Sequence, residues 1–470
     1  MSLVYIGLAA TLLIIVSLSI WSGSRAKKNA KNSMGVVAGV ITGTLVGGSS
    51  TIGTAQLAYQ FGMSAWWYTL GAGVACMVLA LVYAVPLRRT GGSTLVGIIR
   101  KEYGPKAGMA VSVLSSVGTF INVIPQVISA TAVLAVIFPN MSLEFAAACS
   151  VVFMILYVIF GGTKGAGMVG IVKMVLIYLT MIAAGVIVLK MAGGLGGFAR
   201  EVRAIQDPAC PNFFYLFSRG IGTDAGAGLS AILGVLTTQT YAQGVLSGKT
   251  DKDGIRGALL SAFLVPPIGL GGILVGLHVR ANAALYAGVT AKTALTAFVT
   301  AHMPPLLAGI ILGTLFITVV GTGAGIALGI STMLTNDIWG QLVPRFREPK
   351  AKAILSKVMI AAVLAVAGLL TCGPLGDIIL HFTFMSMGLR GAVVFMPLCC
   401  ALWLPGRIPS RYVIASVVSG PLLVLLFGLW DVLPFDPLFL GVAVSMVIMV
   451  LGLRAKSLPC KKGGFGALRH

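Results

Sequence analysis

Stretches of roughly 20 apolar residues, the length that carries a helix across the hydrocarbon core of a bilayer, follow one another along the entire chain. Thirteen are read, at 3–22, 35–60, 65–87, 107–138, 142–160, 167–192, 225–247, 255–279, 304–335, 353–373, 377–404, 411–431 and 435–454. Of 470 residues 57% are apolar and 10% charged, and the mean hydropathy is +1.00, too little polar surface to clothe a soluble body of this size. The fold class expected is an all-α membrane protein.

The net charge of +21 raises nucleic acid as a partner, but the basic residues sit in alternate loops rather than on one phosphate-binding face. Arg25, Lys27, Lys28 and Lys31 follow the first span; Arg88, Arg89, Arg100, Lys101 and Lys106 follow the third; Lys249, Lys252 and Arg256 follow the seventh. Arg345, Arg347, Lys350, Lys352 and Lys357 follow the ninth, Arg407 and Arg411 the eleventh, and Arg454, Lys456, Lys461 and Lys462 the last. With thirteen spans these loops share one side, and the positive-inside bias puts the amino terminus outside and the carboxyl terminus in the cytoplasm, in the inner (cytoplasmic) membrane. The partners expected are the lipid bilayer, a small solute and a coupling ion, with no nucleic acid and a monomeric chain. The first span lacks a basic start and a small-residue cleavage site, so it reads as retained. The seven cysteines form no CxxC pair and read as small buried hydrophobes.

The second span is the most irregular. Gly35, Gly39, Gly43 and Gly47 recur every fourth residue, a groove without side chains that admits a second helix closely. The run Gly47-Gly48-Ser49-Ser50-Thr51 then favours a break, and a broken helix at membrane depth must turn its backbone toward protein or a polar cavity. The seventh span is the second interrupted helix, loosened by Gly226, Gly228 and Gly234 and polar from Thr237 through Gln243. Breaks five spans apart are what an inverted repeat of five plus five gives. Span nine repeats the groove with Gly321, Gly325 and Gly329, so spans two and nine are expected to pack backbone to backbone. Carbonyls at the break with the Thr318 and Thr322 hydroxyls then form an oxygen cage fit for sodium.

Other polar groups stand within apolar runs. Tyr68 and Thr69 follow the paired Trp66 and Trp67, which suit an interfacial belt. Asn122, Pro125 and Gln126 interrupt span four, where the amides serve either a helix-to-helix bond or a solute. Lys173 in span six either snorkels or places an ammonium where an ion would sit. Arg390 in span eleven has no acidic neighbour in its span, Asp377 lying near the end; a solute carboxylate, carbonyls or water would satisfy it. Gly244 to Thr250 reads GxxxGKT, one residue short of a P-loop and on the wrong kind of element. No catalytic role is assigned: an enzyme needs a nucleophile and base or a metal cluster, and His278, His302 and His381 are scattered and unpaired by carboxylates. Residues 193–224 read as an outer connector.

GGSSTIGTAQLAYQFGMSAWW, GGTKGAGMVGIVK, QTYAQGVLSGKTDKDGIRGALLSAFLVPP and STMLTNDIW, in this order, resemble the sodium:solute symporter family over nearly the whole chain. The resemblance implies a LeuT-like 5+5 inverted repeat in spans two to eleven and alternating access around a central site. It divides the chain into a first helix and loop (1–34), a first repeat (35–192), the connector (193–224), a second repeat (225–404) and two accessory helices with a basic tail (405–470). It implies a sodium site from backbone oxygens of Gly43, Val46 and Thr318 and side-chain hydroxyls at positions 321 and 322. Here those are Gly321, which lacks one, and Thr322. The acidic position common in the family's sixth span is Gly170, one turn from Lys173. The seventh-span Asp or Asn is Thr238, and the Arg of that motif is Gly244. The solute pocket would involve Gly47, Ser49, Ser50, Tyr68, Thr69, Asn122, Gln126, Thr238 and Arg390. Ala231 and Gly234 occupy the positions of the sugar carriers' polar contact and aromatic gate. The function expected is sodium-coupled symport of a small organic solute, a carboxylate or amino acid before a sugar, with no cofactor beyond sodium. The alternatives are a proton-coupled or uncoupled carrier with Lys173 replacing the ion, and a transporter-like sensor or channel.

Overall fold

A computed structural model describes residues 2–25, 32–92, 94–161, 166–208, 210–373, 379–430, 433 and 435–455. Asp377, Lys27, Lys28, Lys31, Lys456, Lys461 and Lys462 lie outside these residues. In chain order the helices are α1 (Ser2–Arg25), α2 (Met34–Leu45), α3 (Thr54–Phe61), α4 (Trp67–Val78), α5 (Ala84–Arg89), α6 (Leu95–Tyr103), α7 (Pro105–Ile121) and α8 (Val123–Ile137). Then come α9 (Leu143–Gly161), α10 (Ala166–Met191), α11 (Leu195–Arg203), α12 (Ile221–Thr237), α13 (Gln239–Leu246), α14 (Asp251–Ala281), α15 (Ala294–His302) and α16 (Pro305–Met333). The last are α17 (Gly340–Leu342), α18 (Pro349–Thr371), α19 (Ile379–Trp403), α20 (Ser410–Trp430) and α21 (Leu438–Arg454).

The molecule is all-helical, as the apolar patterning requires. Among the described residues eight helical segments are long and apolar enough to cross a membrane, nine when α12 and α13, bent by 51° at their junction, count as one. Shorter apolar helices lie at Leu3–Ile15, Met34–Leu45, Leu143–Val158 and Leu438–Arg454, so a helix overlies each expected span while fewer than thirteen meet the length of a crossing. Apolar side chains such as Leu179, Ile182 and Val186 face outward one turn apart on α10, which suits hydrocarbon and not water.

The close glycine packing is real but its partner differs from the expected one. The α2 groove receives α10 at Gly39 and Gly43 and meets span nine only at Gly47, against Thr322: a Cβ at Gly170 would lie 2.1 Å from the Gly39 carbonyl oxygen, and one at Gly43 would lie 2.5 Å from the Gly170 Cα. Span nine's own groove is partly idle, since nothing lies within 4 Å of a Cβ built at Gly325 or Gly329. Its outer half instead takes α1, with Gly309 against Val4 and Gly313 against Leu8 and Thr11.

Polar contacts gather the basic loops at one end of the bundle. Asn32 exchanges backbone bonds with Ser247 and Lys249, Arg88 pairs with Asp251, and Arg100 lies 3.5 Å from Asp337. Arg88 also donates to the carbonyls of Val245, Leu246 and Gly248, closing the end of α13. The P-loop look-alike belongs here, and α14 starts on a capping box of Thr250 and Asp253 whose carboxylate takes the place an anion would need.

The opposite end holds the stretch read as a connector. It carries α11, and its loop is pinned down: Trp67 Nε1 donates to the Leu216 carbonyl at 2.7 Å, and Met63 N donates to Phe213 at 2.8 Å. At Gly62, φ of +62° lets the chain pass the Phe213 carbonyl, which a Cβ would meet at 2.1 Å. Arg219 pairs at 2.6 Å with the fully buried Asp224. His278, expected to lack a carboxylate, has Glu201 3.0 Å from its Nδ1.

The backbone approach of α2 and α10 yields a contrast. Gly170→Val should lower the thermal unfolding midpoint of the purified protein by several degrees, through overpacking worth about 1–3 kcal/mol. Gly325→Ala, with open space at its Cβ position, should leave the midpoint unchanged or slightly raised.

Candidate functional site

The first break is where the sequence puts it. Regular α-helix stops at Leu45, Val46 is extended (φ −85°, ψ 105°), and the chain resumes at Ser49–Gly53 as a wide π-type turn before α3. Several of the groups freed here find partners inside the protein. Gly48 N donates to Gln126 Oε1 at 3.1 Å, Gly47 N donates to Ser50 Oγ at 3.0 Å, and Thr51 Oγ1 donates to the Gly47 carbonyl at 2.9 Å. Gln126 Nε2 reaches Ser49 Oγ at 3.3 Å, and Ser49 bonds Thr383 of α19 at 2.8 Å. Gln126 therefore makes the helix-to-helix bond, spending both ends of its amide on the break. Gly48 is held to glycine by Ser129, 2.4 Å from where its Cβ would stand.

Beside the break lies the cation position. The carbonyls of Gly43 in α2 and Thr318 in α16 point at one spot, and the Lys173 ammonium fills it, Nζ donating to them at 3.1 and 3.2 Å. Thr322 Oγ1 lies 2.9 Å from the Thr318 carbonyl and 3.4 Å from that of Val46. A Cβ at Gly321 would stand 3.2 Å from the Tyr157 hydroxyl and 3.5 Å from Nζ, so this bare backbone borders both side chains. Lys173 is 5% exposed, which rules out snorkelling, and none of the ion pairs among the described residues involves it. Gly43, Val46, Thr318, Gly321 and Thr322 are thus brought together with Lys173 in their midst.

The second break falls at Thr238, extended between α12 and α13. Its hydroxyl donates to the Gly234 carbonyl and accepts Arg390 Nη1 at 2.6 Å. Arg390 Nε donates to the Ser386 carbonyl at 3.2 Å, and its stem lies on Gly118 of α7. Tyr68 is buried beside Ser49 and within electrostatic reach of Arg390, its ring edge-on to Phe384 at 6.0 Å. Asn122 sits at the kink between α7 and α8, where Pro125 withholds a donor from Ile121, and its buried Oδ1 has no partner.

Thr69 stands apart from these groups. Its hydroxyl lies 3.4 Å from the Pro266 carbonyl and against Gly269 of α14, a packing contact. Trp66 Nε1 likewise donates to the Pro266 carbonyl, at 3.0 Å, so this Trp is tied to α14 rather than free in a belt. Gln239 accepts Leu95 N at 2.7 Å and closes the start of α6. Sequence reasoning missed Thr383 and Ser386, which with Arg390 form a polar stripe at helical spacing on α19; that spacing was the available signal.

A family model described as the sodium:solute symporter family matches residues 30–405. The chain belongs to the sodium:solute symporter family. Membership places it in a family of multi-pass membrane symporters, transporters and not enzymes. An uncharacterized symporter of Bacillus subtilis (strain 168), YwcA, is 29% identical over 157 residues, about a third of either chain (33% of this one, 30% of the relative). A solved Na+-coupled sialic acid symporter, in a substrate-bound outward-open state, superposes with a TM-score of 0.76 at 16% identity over 96% of both chains. Mhp1, a nucleobase-cation-symport-1 family transporter solved in a closed conformation with bromovinylhydantoin, gives a TM-score of 0.58 at 12% identity, over 92% of this chain and 95% of its own. These likenesses show the LeuT-like fold that the family implies.

The clamp on the first break is open to test. Gln126→Leu leaves the buried Gly48 N–H and Ser49 without their partner and should cost about 1–3 kcal/mol. It should be read as a lower thermal midpoint, with Gln126→Glu recovering the bond to Gly48.

Proposed function

We propose that the chain is a secondary transporter that moves a small organic solute across the cytoplasmic membrane in symport with a monovalent cation, by alternating access around the two breaks. The observation that carries this is the convergence of two backbone carbonyls from different helices, Gly43 and Thr318, on one cation beside an unwound segment. Such a cation joins α2 to α16, so its binding favours the conformation in which they touch and biases a two-state equilibrium. Moving one charge through 100 mV is worth about 2.3 kcal/mol, enough to drive uphill uptake. The gathering of basic loops at one end supports an outside amino terminus and a cytoplasmic carboxyl terminus. The solute is read as a carboxylate or amino acid before a sugar: the backbone at Gly234 is closed by Met387, 2.4 Å from where a Cβ would stand, leaving no place for an aromatic gate.

Sodium is the ion the family implies, and with Lys173 swung aside the oxygens of Gly43, Val46, Thr318 and Thr322 offer it hard ligands. A second reading is favoured by the ammonium already in that place. Lys173 then stands in for sodium, and a proton gained and lost there is the coupling ion, or coupling is absent.

Uptake into proteoliposomes separates the readings. If sodium couples, an inward sodium gradient drives accumulation at equal pH, and Thr322→Ala raises the sodium concentration for half-maximal uptake several-fold. If the lysine couples, a pH gradient drives uptake without sodium, and Lys173→Ala abolishes it. A Thr322→Ala protein with unchanged sodium dependence would remove the proposed ion site.

A further inference from the structure

Arg390 is 3% exposed near the middle of α19, and no ion pair among the described residues supplies it with a carboxylate. The one fully buried acid among those residues, Asp224, is committed to Arg219 and Ser64 at the outer end. A guanidinium does not shed its proton inside a protein, and a buried cation without a counterion is strongly unfavourable. Two of its three nitrogens are engaged, Nε by the Ser386 carbonyl and Nη1 by Thr238 Oγ1, both neutral acceptors. Nη2 is buried and has no acceptor. The side chain is held from three sides, by its own helix, by the second break and by Gly118 of α7, so the fork is presented rather than free to search. Tyr68 and Tyr241 lie within electrostatic reach of it, and both are buried. With Lys173 at the first break, each interrupted helix has a buried cation beside it, and no ion pair among the described residues gives either cation an acid. Among those residues the two breaks carry a positive surplus that an anion from outside would balance.

Resting on the carrier reading above, we propose that Arg390 Nη2 anchors the solute's anionic group, and that the cargo is a small carboxylate whose charge is the counterion this guanidinium lacks. The proposal names the atom and the selection rule: the acid is carried, its amide and neutral polyols are refused, because they leave the buried cation uncompensated. Thr238 is a positioning residue, aiming the fork through Nη1 without touching the solute. Binding a carboxylate at Nη2 also ties α19 to the junction of α12 and α13, so the anion reports on the second break as the cage cation does on the first.

The test uses purified full-length protein and thermal unfolding in the presence of acetate, propionate, pyruvate, lactate and glutamate, each beside its amide at constant ionic strength. At least one carboxylate should raise the midpoint by several degrees while its amide does nothing. Arg390→Gln should weaken that carboxylate at least tenfold, and Arg390→Lys should retain part of the effect. Thr238→Val should raise the KM for uptake of the same carboxylate about tenfold with kcat little changed, and Thr238→Ser should restore it. Equal stabilisation by acid and amide, an undiminished response in folded Arg390→Gln, or no response to any carboxylate overturns the anchor. If Arg390→Gln does not fold, an Arg390→Lys protein as responsive to amides as to acids serves the same purpose. Proteoliposomes that accumulate only neutral solutes overturn the anchor and leave the carrier reading standing. Carboxylate binding without uptake of any labelled solute overturns the carrier reading and leaves the anchor.

Discussion

A helix interrupted inside an apolar bundle has to pass its freed carbonyls and amides to something, because lipid offers them nothing. At the first break this constraint recruits the whole surrounding core. Gln126 from α8 takes the Gly48 amide, Ser50 and Thr51 turn back onto Gly47, Ser49 reaches Thr383, and Gly43 presents its carbonyl to Lys173. Three helices, α8, α10 and α19, are thereby tied to the break and its rim. The break is stable because it is over-partnered, and it is useful because one of its partners is a cation.

The position of that cation follows from glycine. Gly170 has no side chain to keep α10 off α2, so the helices meet at backbone distance. One turn later Lys173 emerges against the Gly43 carbonyl, with Gly321 on the α16 side. A larger residue at Gly170 would push α10, and the ammonium with it, away from α2. Two departures from what the family resemblance implies, at Gly170 and Gly321, thus border Lys173: an acid and a hydroxyl are absent, and the positive charge comes from the protein itself. Bare carbonyls then serve an ammonium as they would serve a metal ion, since both want hard oxygen and neither needs a fixed orientation.

The helical class and both breaks were legible in the sequence because helix propensity and apolar length are local properties, whereas the grouping of Gly43, Val46, Thr318 and Thr322 came from the family resemblance. The partner of the α2 groove was not legible. Gly321, Gly325 and Gly329 of span nine have the same spacing as the α2 glycines, and spacing says that a groove exists without saying which helix enters it. Gly170, which belongs to no every-fourth-residue repeat, meets Gly39 and Gly43 instead. Likewise Thr69 and Gln126 look alike from the sequence, polar residues in apolar runs, yet one packs on Gly269 and the other holds the break. The residues 193–224 carry no motif, so their docking onto Met63, Ser64 and Trp67 rests on tertiary contacts that composition cannot encode.

The account turns on a single place for one cation, contested by the Lys173 ammonium and any ion from solution. A ligand that binds only the folded state stabilises it by RT ln(1 + [L]/Kd), so the thermal midpoint measured against sodium, with choline as the balancing cation, reports occupancy directly. Comparing the unaltered protein with Lys173→Ala is the decisive measurement. The account predicts that removing the competing ammonium shifts the sodium response to at least tenfold lower concentration. The same sodium response in both proteins would contradict it, for then sodium and the lysine would not share those oxygens.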